Sequence, residues 1–199
     1  MKKIICSVLV LMMTCLLFTG AGASGDWTVP NNHSPNKDNG SGRGNYYGIS
    51  VQLIEDMATR SGPSTTYTEC GSYRMKGQYD TALSRSYDNG GVLWIEVEFS
   101  YGGGYRRAWT GAKRLDITSR QLASLPEEDF SSFLGYGTIT SKTTPRFGPG
   151  SIYSTYSGRD LYKGDQVAVI RSENGYYLTE CYHTDGLVLR SWIPTSSVK

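Results

Sequence analysis

The chain has 199 residues, with 20 lysines and arginines against 18 aspartates and glutamates. This small net charge argues against a broad electrostatic attraction to nucleic acid or to an anionic membrane surface. The 24 glycines and 15 tyrosines favour short strands joined by tight turns over a helical protein.

The chain starts with a basic and then apolar segment. Lys2 and Lys3 precede an apolar run over residues 4–18, and small residues lead to Ala23. This is the pattern of a secretory signal peptide, and the run is too short for a typical membrane span. We therefore predict a signal peptide over residues 1–23, a secreted or cell-envelope location, and no stable membrane span after cleavage. The mature chain of 176 residues would carry 18 basic and 18 acidic side chains, since both lysines leave with the signal.

Residues 24–45 are rich in Asn, Gly, Ser and Pro. A segment with so few apolar side chains cannot bury enough surface to offset the entropy lost on ordering. We predict a flexible leader over these residues.

A motif with Arg, Gly, Pro and Tyr at the same spacing occurs twice, and we call the two copies the Gly-Pro loops. The first copy, over residues 58–67, contains Arg60, Gly62, Pro63 and Tyr67. The second, over residues 144–153, contains Arg146, Gly148, Pro149 and Tyr153. A self-match at a fixed step indicates two similar modules. We predict module 1 over residues 46–117 and module 2 over residues 135–199, with each glycine supplying a positive φ angle at a loop tip.

Module 1 shows the alternation of apolar and polar residues that is typical of half-buried strands. The strongest run covers residues 92–99 and follows an Asn-Gly turn, a hairpin signal. In that run Trp94, Glu96 and Glu98 share one face. We expect this face to be exposed to solvent, which makes Trp94 the best candidate for an exposed aromatic that contacts a ligand. Short strands with regular turns indicate a sandwich or a barrel.

Between the modules, residues 117–125 combine an N-cap with helix-forming residues, and Pro126 ends the run. We predict a linker over residues 118–134 that contains one short helical turn. Module 2 then repeats the plan of module 1, with a Lys-Gly turn at Lys163 and an Asn-Gly hairpin at Asn174.

The combined motifs closely resemble bacterial SH3-like (SH3b) domains. Module 1 supplies Arg60-Ser61-Gly62-Pro63-Ser64, Tyr67, Lys76-Gly77, Trp94-Ile95-Glu96-Val97 and Trp109. Module 2 supplies Arg146-Phe147-Gly148-Pro149-Gly150, Tyr153, Lys163-Gly164, Tyr176 or Tyr177, and Trp192. A tyrosine thus replaces the mid-domain tryptophan in module 2, and module 1 carries longer insertions.

The resemblance implies an all-β fold of two tandem small SH3-like β-barrels joined by a short linker. Members of the family are generally secreted and often bind cell-wall peptide. We therefore expect a monomeric, non-catalytic protein that binds cell-wall peptide (peptidoglycan) or a surface protein through grooves beside the Gly-Pro loops. The candidate ligand-binding residues are Arg60, Pro63, Tyr67, Trp94, Trp109, Arg146, Pro149, Tyr153, Tyr177 and Trp192.

Each of these residues also has a structural interpretation, as a loop tip or as part of the core. The alternative function is therefore a structural or regulatory protein, in which the two barrels pack into one rigid unit that partners another secreted protein. Exposed indoles would favour ligand binding, whereas shielded indoles would favour the packed pair.

The sequence offers little for catalysis, and we predict no enzyme activity, no metal site and no cofactor. Cys181 and His183 lie two residues apart, but a thiol nucleophile also needs a third group and a cleft. The mature chain would retain Cys70 and Cys181. Secretion permits a disulfide between them, but we favour two free thiols packed as small apolar side chains.

Overall fold

The computed structural model describes residues 48–130, 133–182 and 186–199. The predicted signal peptide (1–23) and flexible leader (24–45) lie outside these residues, as does His183.

The first half of the chain forms a seven-stranded antiparallel sheet. Its strands are β1 (Ile49–Leu53), β2 (Met57–Arg60), β3 (Glu69–Arg74), β4 (Tyr79–Tyr87), β5 (Leu93–Tyr101), β6 (Gly104–Gly111) and β7 (Leu115–Asp116). Their spatial order is β3-β2-β6-β5-β4-β1-β7. The two longest strands, β4 and β5, therefore lie near the centre of the sheet and present one side chain in two to each face.

The second half forms a four-stranded antiparallel sheet in the order β11-β10-β9-β8. Its strands are β8 (Gly135–Thr138), β9 (Gln166–Glu173), β10 (Tyr176–Tyr182) and β11 (Val188–Pro194). The β9–β10 hairpin turns at Asn174 and Gly175, whose φ angles of 50° and 77° fit the turn that Asn-Gly predicts. In the described residues both sheets keep two edge strands, so neither closes on itself. The prediction of an all-β protein is confirmed.

One short helix, α1 (Ser119–Ser124), lies in the segment of the chain that connects the two sheets, where a helical turn was predicted. Thr118 is its N-cap and forms a capping box with Gln121. Two 3-10 turns, Ala112–Arg114 and Thr195–Ser197, follow β6 and β11.

The segment after α1 is held against module 1. Arg85 of β4 donates its backbone N–H to the carbonyl of Pro126 at 2.9 Å, and Glu128 donates to the carbonyl of Arg85 at 2.8 Å. The ring of Phe130 meets Trp109 edge to face, with centroids 5.8 Å apart. Residues 125–130, which we call the strap, thus extend the packing of β4.

Two apolar cores hold the sheets together. The smaller core lies within module 2 and includes Ile139, Val167 and Ile193. The larger core belongs mainly to module 1, but it also contains Phe147 and Leu189 from the second half of the chain. The two modules therefore share buried apolar surface, which favours their folding as one unit.

Candidate functional site at the module interface

The arginine of each Gly-Pro loop holds its own loop together. Arg60 donates through Nη1 to the carbonyl of Tyr67 at 2.8 Å, and Arg146 donates through Nη1 to the carbonyl of Tyr153 at the same distance. Charged donors make the stronger hydrogen bonds of proteins. Both arginines therefore shape the loops, and both remain half-buried.

The glycine of each loop makes room for the tyrosine ring. A Cβ on Gly62 would lie 2.3 Å from Cδ1 of Tyr67, and one on Gly148 would lie 2.2 Å from Cδ1 of Tyr153. Neither glycine has a positive φ angle, so our expectation on this point was wrong. Glycine is required because the ring lies flat against the backbone, where any side chain would collide with it.

Tyr67 of module 1 reaches into module 2. Its hydroxyl donates to Oε1 of Glu180 at 2.7 Å and accepts from Nη2 of Arg190 at 2.9 Å. Arg190 also donates through Nε to Glu180 at 2.7 Å and is 3% exposed. Burial raises the pKa of the Tyr67 hydroxyl, so it stays protonated and acts as a donor.

Tyr153 of module 2 reaches into module 1 in a corresponding way. Its hydroxyl donates to Oε2 of Glu98 at 2.6 Å, and Nε of Arg107 donates to the same oxygen at 3.2 Å. Arg107 also reaches Glu173 at 3.1 Å and lies 5.2 Å from the centre of the Tyr153 ring. Burial likewise raises the pKa of the Tyr153 hydroxyl. The two modules are therefore joined by a reciprocal pair of Tyr–Glu–Arg contacts.

The backbone contacts between the two modules are reciprocal as well. Tyr67 forms a parallel bridge with Val188 of module 2, and Tyr153 forms one with Tyr105 of module 1. Reciprocal contacts of this kind are characteristic of isologous interfaces between identical subunits. Here the internal repeat produces such an interface within one chain.

The strap covers one side of this interface. Its Glu128 forms an ion pair with Arg171 of module 2. The ring of Phe130 lies 3.7 Å from Cζ of Arg190, a distance at which a guanidinium is attracted to an aromatic face. The strap therefore contacts both modules.

A small polar cavity of about 10 Å³ lies at the centre of the interface. It is lined by Ser61, Glu96, Arg107, Trp109, Arg146, Phe147, Tyr156, Leu178, Arg190 and Trp192. That volume is about the space of one water molecule. This cavity is therefore too small for an extended peptide.

The structure brings most of the candidate ligand-binding residues to this interface or to the core. Among the aromatics, Tyr153, Trp109 and Trp192 are at most 2% exposed, whereas Tyr177 is half-buried against the smaller core. Pro63 and Pro149 are buried, and Tyr67 is half-buried.

The expectation that Trp94 lies on a solvent face was wrong. Trp94 is 8% exposed and donates its indole N–H to Asp88 at 3.1 Å. Glu96, on the same face, is 6% exposed and lines the interface cavity. Alternation distinguishes the two faces of a strand, but it cannot show that a second module covers the polar one.

Sequence reasoning missed the acidic and basic partners of the two tyrosines. Arg107 was not among the candidate residues, yet it is 3% exposed and bonds Glu98 and Glu173. A signal was available in the repeat. Arg107 and Arg190 lie 83 residues apart, the same step that separates Trp109 from Trp192.

Glu96 makes the stability of this interface depend on pH. Burial raises the pKa of its carboxyl, and the nearby Arg171 and Arg107 oppose this only in part. The folded chain therefore holds this proton at pH values where the unfolded chain has released it. Stability should fall as pH rises from about 4.3, the usual pKa of Glu, through the raised pKa in the folded chain.

Glu96→Gln tests this assignment, because glutamine keeps the shape and cannot ionise. Thermal unfolding of both proteins between pH 4 and pH 8 should show a smaller loss of Tm with rising pH in the variant. Glu127→Gln, at an exposed glutamate of the strap, is the control and should follow the wild-type curve. Equal pH dependence in Glu96→Gln and the wild type would contradict the assignment.

Cys70 and Cys181, the two cysteines among the residues that the structure describes, are free thiols. Cys70 is buried, with its Sγ 3.5 Å from the hydroxyl of Tyr156, and Cys181 is half-buried. Burial raises the pKa of each thiol to about 11. Since the thiolate is the reactive form, both should react slowly.

We expect the folded mature chain to react with a soluble disulfide reagent at pH 8 at least about tenfold more slowly than the chain in denaturant. Absorbance of the released thiol measures the rate, and two thiols should be counted in denaturant without a reductant. A count of zero there would mean a Cys70–Cys181 disulfide.

The described residues contain no cluster of three or more side chains suited to hold a metal ion. Within the same ranges, no helix is long and apolar enough to cross a membrane.

The site is therefore a buried, reciprocal contact between two halves of one chain. No protein-family model matches this chain, and no curated protein matches it. The SH3b resemblance stays a prediction from the motifs.

Proposed function

We propose that this protein is a secreted, non-catalytic binding protein of the cell envelope, in which two SH3b-like barrels act as one rigid unit. The motif set and the signal-peptide pattern support the family and the location. The proposed ligand is cell-wall material, which the unit binds through its outer surfaces.

The main support for a rigid unit is that each module inserts its loop tyrosine between a glutamate and an arginine of the other module. Tyr67 meets Glu180 and Arg190, while Tyr153 meets Glu98. Separating the modules would break these charge-assisted hydrogen bonds and the ion pair that Arg107 of module 1 forms with Glu173 of module 2.

Because this contact buries the faces between the modules, the proposed binding surface lies on the outside of the unit. The three indoles of Trp94, Trp109 and Trp192 are all shielded, which favours the packed pair. By contrast, exposed tyrosines are found on both modules, and exposed aromatic side chains on a rigid scaffold are suited to binding.

Retention on purified peptidoglycan tests the function. The mature protein, residues 24–199, is mixed with insoluble sacculi, and the fraction that sediments with them is measured beside a known wall-binding protein. We expect clear retention of both. Retention of the known binder alone would contradict cell-wall binding.

Backbone amide relaxation by NMR tests the rigid unit separately. Amides of both modules should report one common rotational correlation time, that of a particle of the whole mature chain. Two distinct and shorter correlation times would show that the modules tumble independently and would contradict the rigid unit.

A further inference from the structure

An exposed aromatic surface lies on module 2. Tyr136 of β8 is 71% exposed, and Tyr182 of β10 is 73% exposed. Phe133 is 46% exposed and meets the ring of Tyr136 edge to face, with centroids 5.2 Å apart. These three residues form what we call the aromatic platform.

The register places the two tyrosines on one face of the sheet. Tyr136 pairs with Ala168 of β9, and Ala168 pairs with Glu180 of β10. Tyr182 lies two residues after Glu180 and therefore shares its face. The tyrosines are two strands apart, roughly 10 Å across the sheet at about 4.8 Å per strand. The small Ala168 leaves the surface between them open.

The internal repeat shows that the fold does not need these aromatics. The corresponding ladder in module 1 runs from Ser50 to Thr81 to Glu98, and Ser100 stands where module 2 has Tyr182. Ser50 and Ser100 are exposed, as are their tyrosine counterparts. The same position in the same sheet is thus filled by serine in one module and tyrosine in the other. A difference of this kind at exposed positions indicates function and not packing.

Module 1 does not provide an equivalent surface. Its nearest exposed aromatic on this face is Tyr79, which takes the place of Gln166 in module 2. It has no second exposed tyrosine across the sheet from it among the described residues of that face.

The chemistry of the platform favours a ligand that is neutral and rich in hydroxyls. Glu180 lies on this face two residues before Tyr182, and its carboxylate is already bound by Arg190 and Tyr67. The flanking polar groups are neutral: Gln166 donates through Nε2 to the hydroxyl of Thr138 at 2.9 Å. Flat aromatic faces with polar tips suit ligands that combine apolar faces with hydroxyl edges.

We propose that the aromatic platform binds a neutral glycan chain, with pyranose rings stacked on Tyr136 and Tyr182 and ring hydroxyls bonded to Gln166 and Thr138. The inference rests on the proposed envelope-binding function and specifies its ligand class. It assigns binding to module 2 and to a surface that lies outside the Gly-Pro loops.

The repeat supplies the variants for the test. Tyr136→Ser and Tyr182→Ser introduce the residue that module 1 carries at each position, so the fold should tolerate both. Tyr87→Ser removes a tyrosine that is 50% exposed on module 1 and serves as the control. Circular dichroism and Tm establish that all three variants are folded.

Binding is measured by NMR titration of the mature protein with neutral hexasaccharides of β-1,4-linked glucose, N-acetylglucosamine and mannose. We expect at least one to shift the amide signals around Tyr136 and Tyr182. Each platform variant should then lose at least about tenfold in affinity, the loss typical of an aromatic anchor, while Tyr87→Ser keeps the wild-type affinity.

Retention on sacculi separates this inference from the proposed function. If the wild type binds sacculi but no hexasaccharide, or if the platform variants bind sacculi as well as the wild type does, the platform inference is overturned and the proposed function stands. Binding of the protein to the peptide part of peptidoglycan, with no binding to the hexasaccharides, would assign a peptide ligand and would also overturn the platform inference. If ultracentrifugation instead shows a dimer that both platform variants abolish, the face is a self-association surface and the glycan assignment fails.

Discussion

Gly148→Ala should destabilise the protein by about 3 kcal/mol, near the upper end of the usual cost of overpacking a core. The added Cβ would lie 2.2 Å from the Tyr153 ring, and Tyr153 is 1% exposed. The ring can escape only by breaking the hydrogen bond between its hydroxyl and Glu98. Urea unfolding followed by fluorescence measures the loss of stability.

A double-mutant cycle identifies the collision as the cause. In a Tyr153→Ala background, Gly148→Ala should cost less than about 1 kcal/mol, because the ring is absent. The same cycle on Gly62 and Tyr67 provides a second measurement if Tyr153→Ala is too unstable, since Tyr67 is only half-buried.

Gly111→Ala is the matched control for the glycine substitution. Gly111 has a φ angle of −65°, and a Cβ there would meet no atom within 4 Å. The change should be neutral or stabilising by up to about 1 kcal/mol, because alanine restricts the unfolded chain. Equal losses for Gly148→Ala and Gly111→Ala would contradict the role assigned to the ring.

Arg107→Ala should cost about 3–5 kcal/mol, the range found when one member of a buried ion pair is removed. The Arg107 side chain is 1% exposed and bonds both Glu98 and Glu173. Its removal leaves two poorly hydrated carboxylates and opens space beside the Tyr153 ring. Denaturant unfolding gives the magnitude, and the loss should weaken the contact between modules as well as the fold of module 1.

Arg85→Ala is the comparison for Arg107→Ala. Arg85 pairs with Glu127 of the strap at 3.1 Å, but the Glu127 side chain is 54% exposed. Exposed pairs contribute about 0–1 kcal/mol, so this variant should stay close to the wild type. Similar losses in the two variants would show that burial does not distinguish these ion pairs.

The local features of the chain could be predicted because short-range chemistry decides them. The hairpin at Asn174 and Gly175 needs positive φ angles, and few residues other than Asn and Gly supply them. Thr118 caps α1 because its hydroxyl satisfies a free backbone N–H. Such patterns act within a few residues, so one sequence is enough to find them.

The site could be predicted only in part. The sequence repeat was enough to find both Gly-Pro loops and their tyrosines. The glutamates and arginines that contact these tyrosines, however, lie far away in the chain. Tyr67 and Glu180 are 113 residues apart, and nothing near either residue indicates the contact. The burial of Trp94 was not predicted either: its indole bonds Asp88, and Ser86, its neighbour on β4, bonds Glu128 of the strap, 34 residues further along the chain than Trp94.

The sequence by itself therefore determined the strands, the turns and the two-fold repetition, because periodicity and turn chemistry are local. Only the tertiary structure decided that each Gly-Pro loop packs against strands of the other module, that Gly62 and Gly148 make room for aromatic rings, and that Trp94 and Glu96 of β5 are buried. These outcomes depend on how two sheets pack, and packing joins side chains that no local pattern connects.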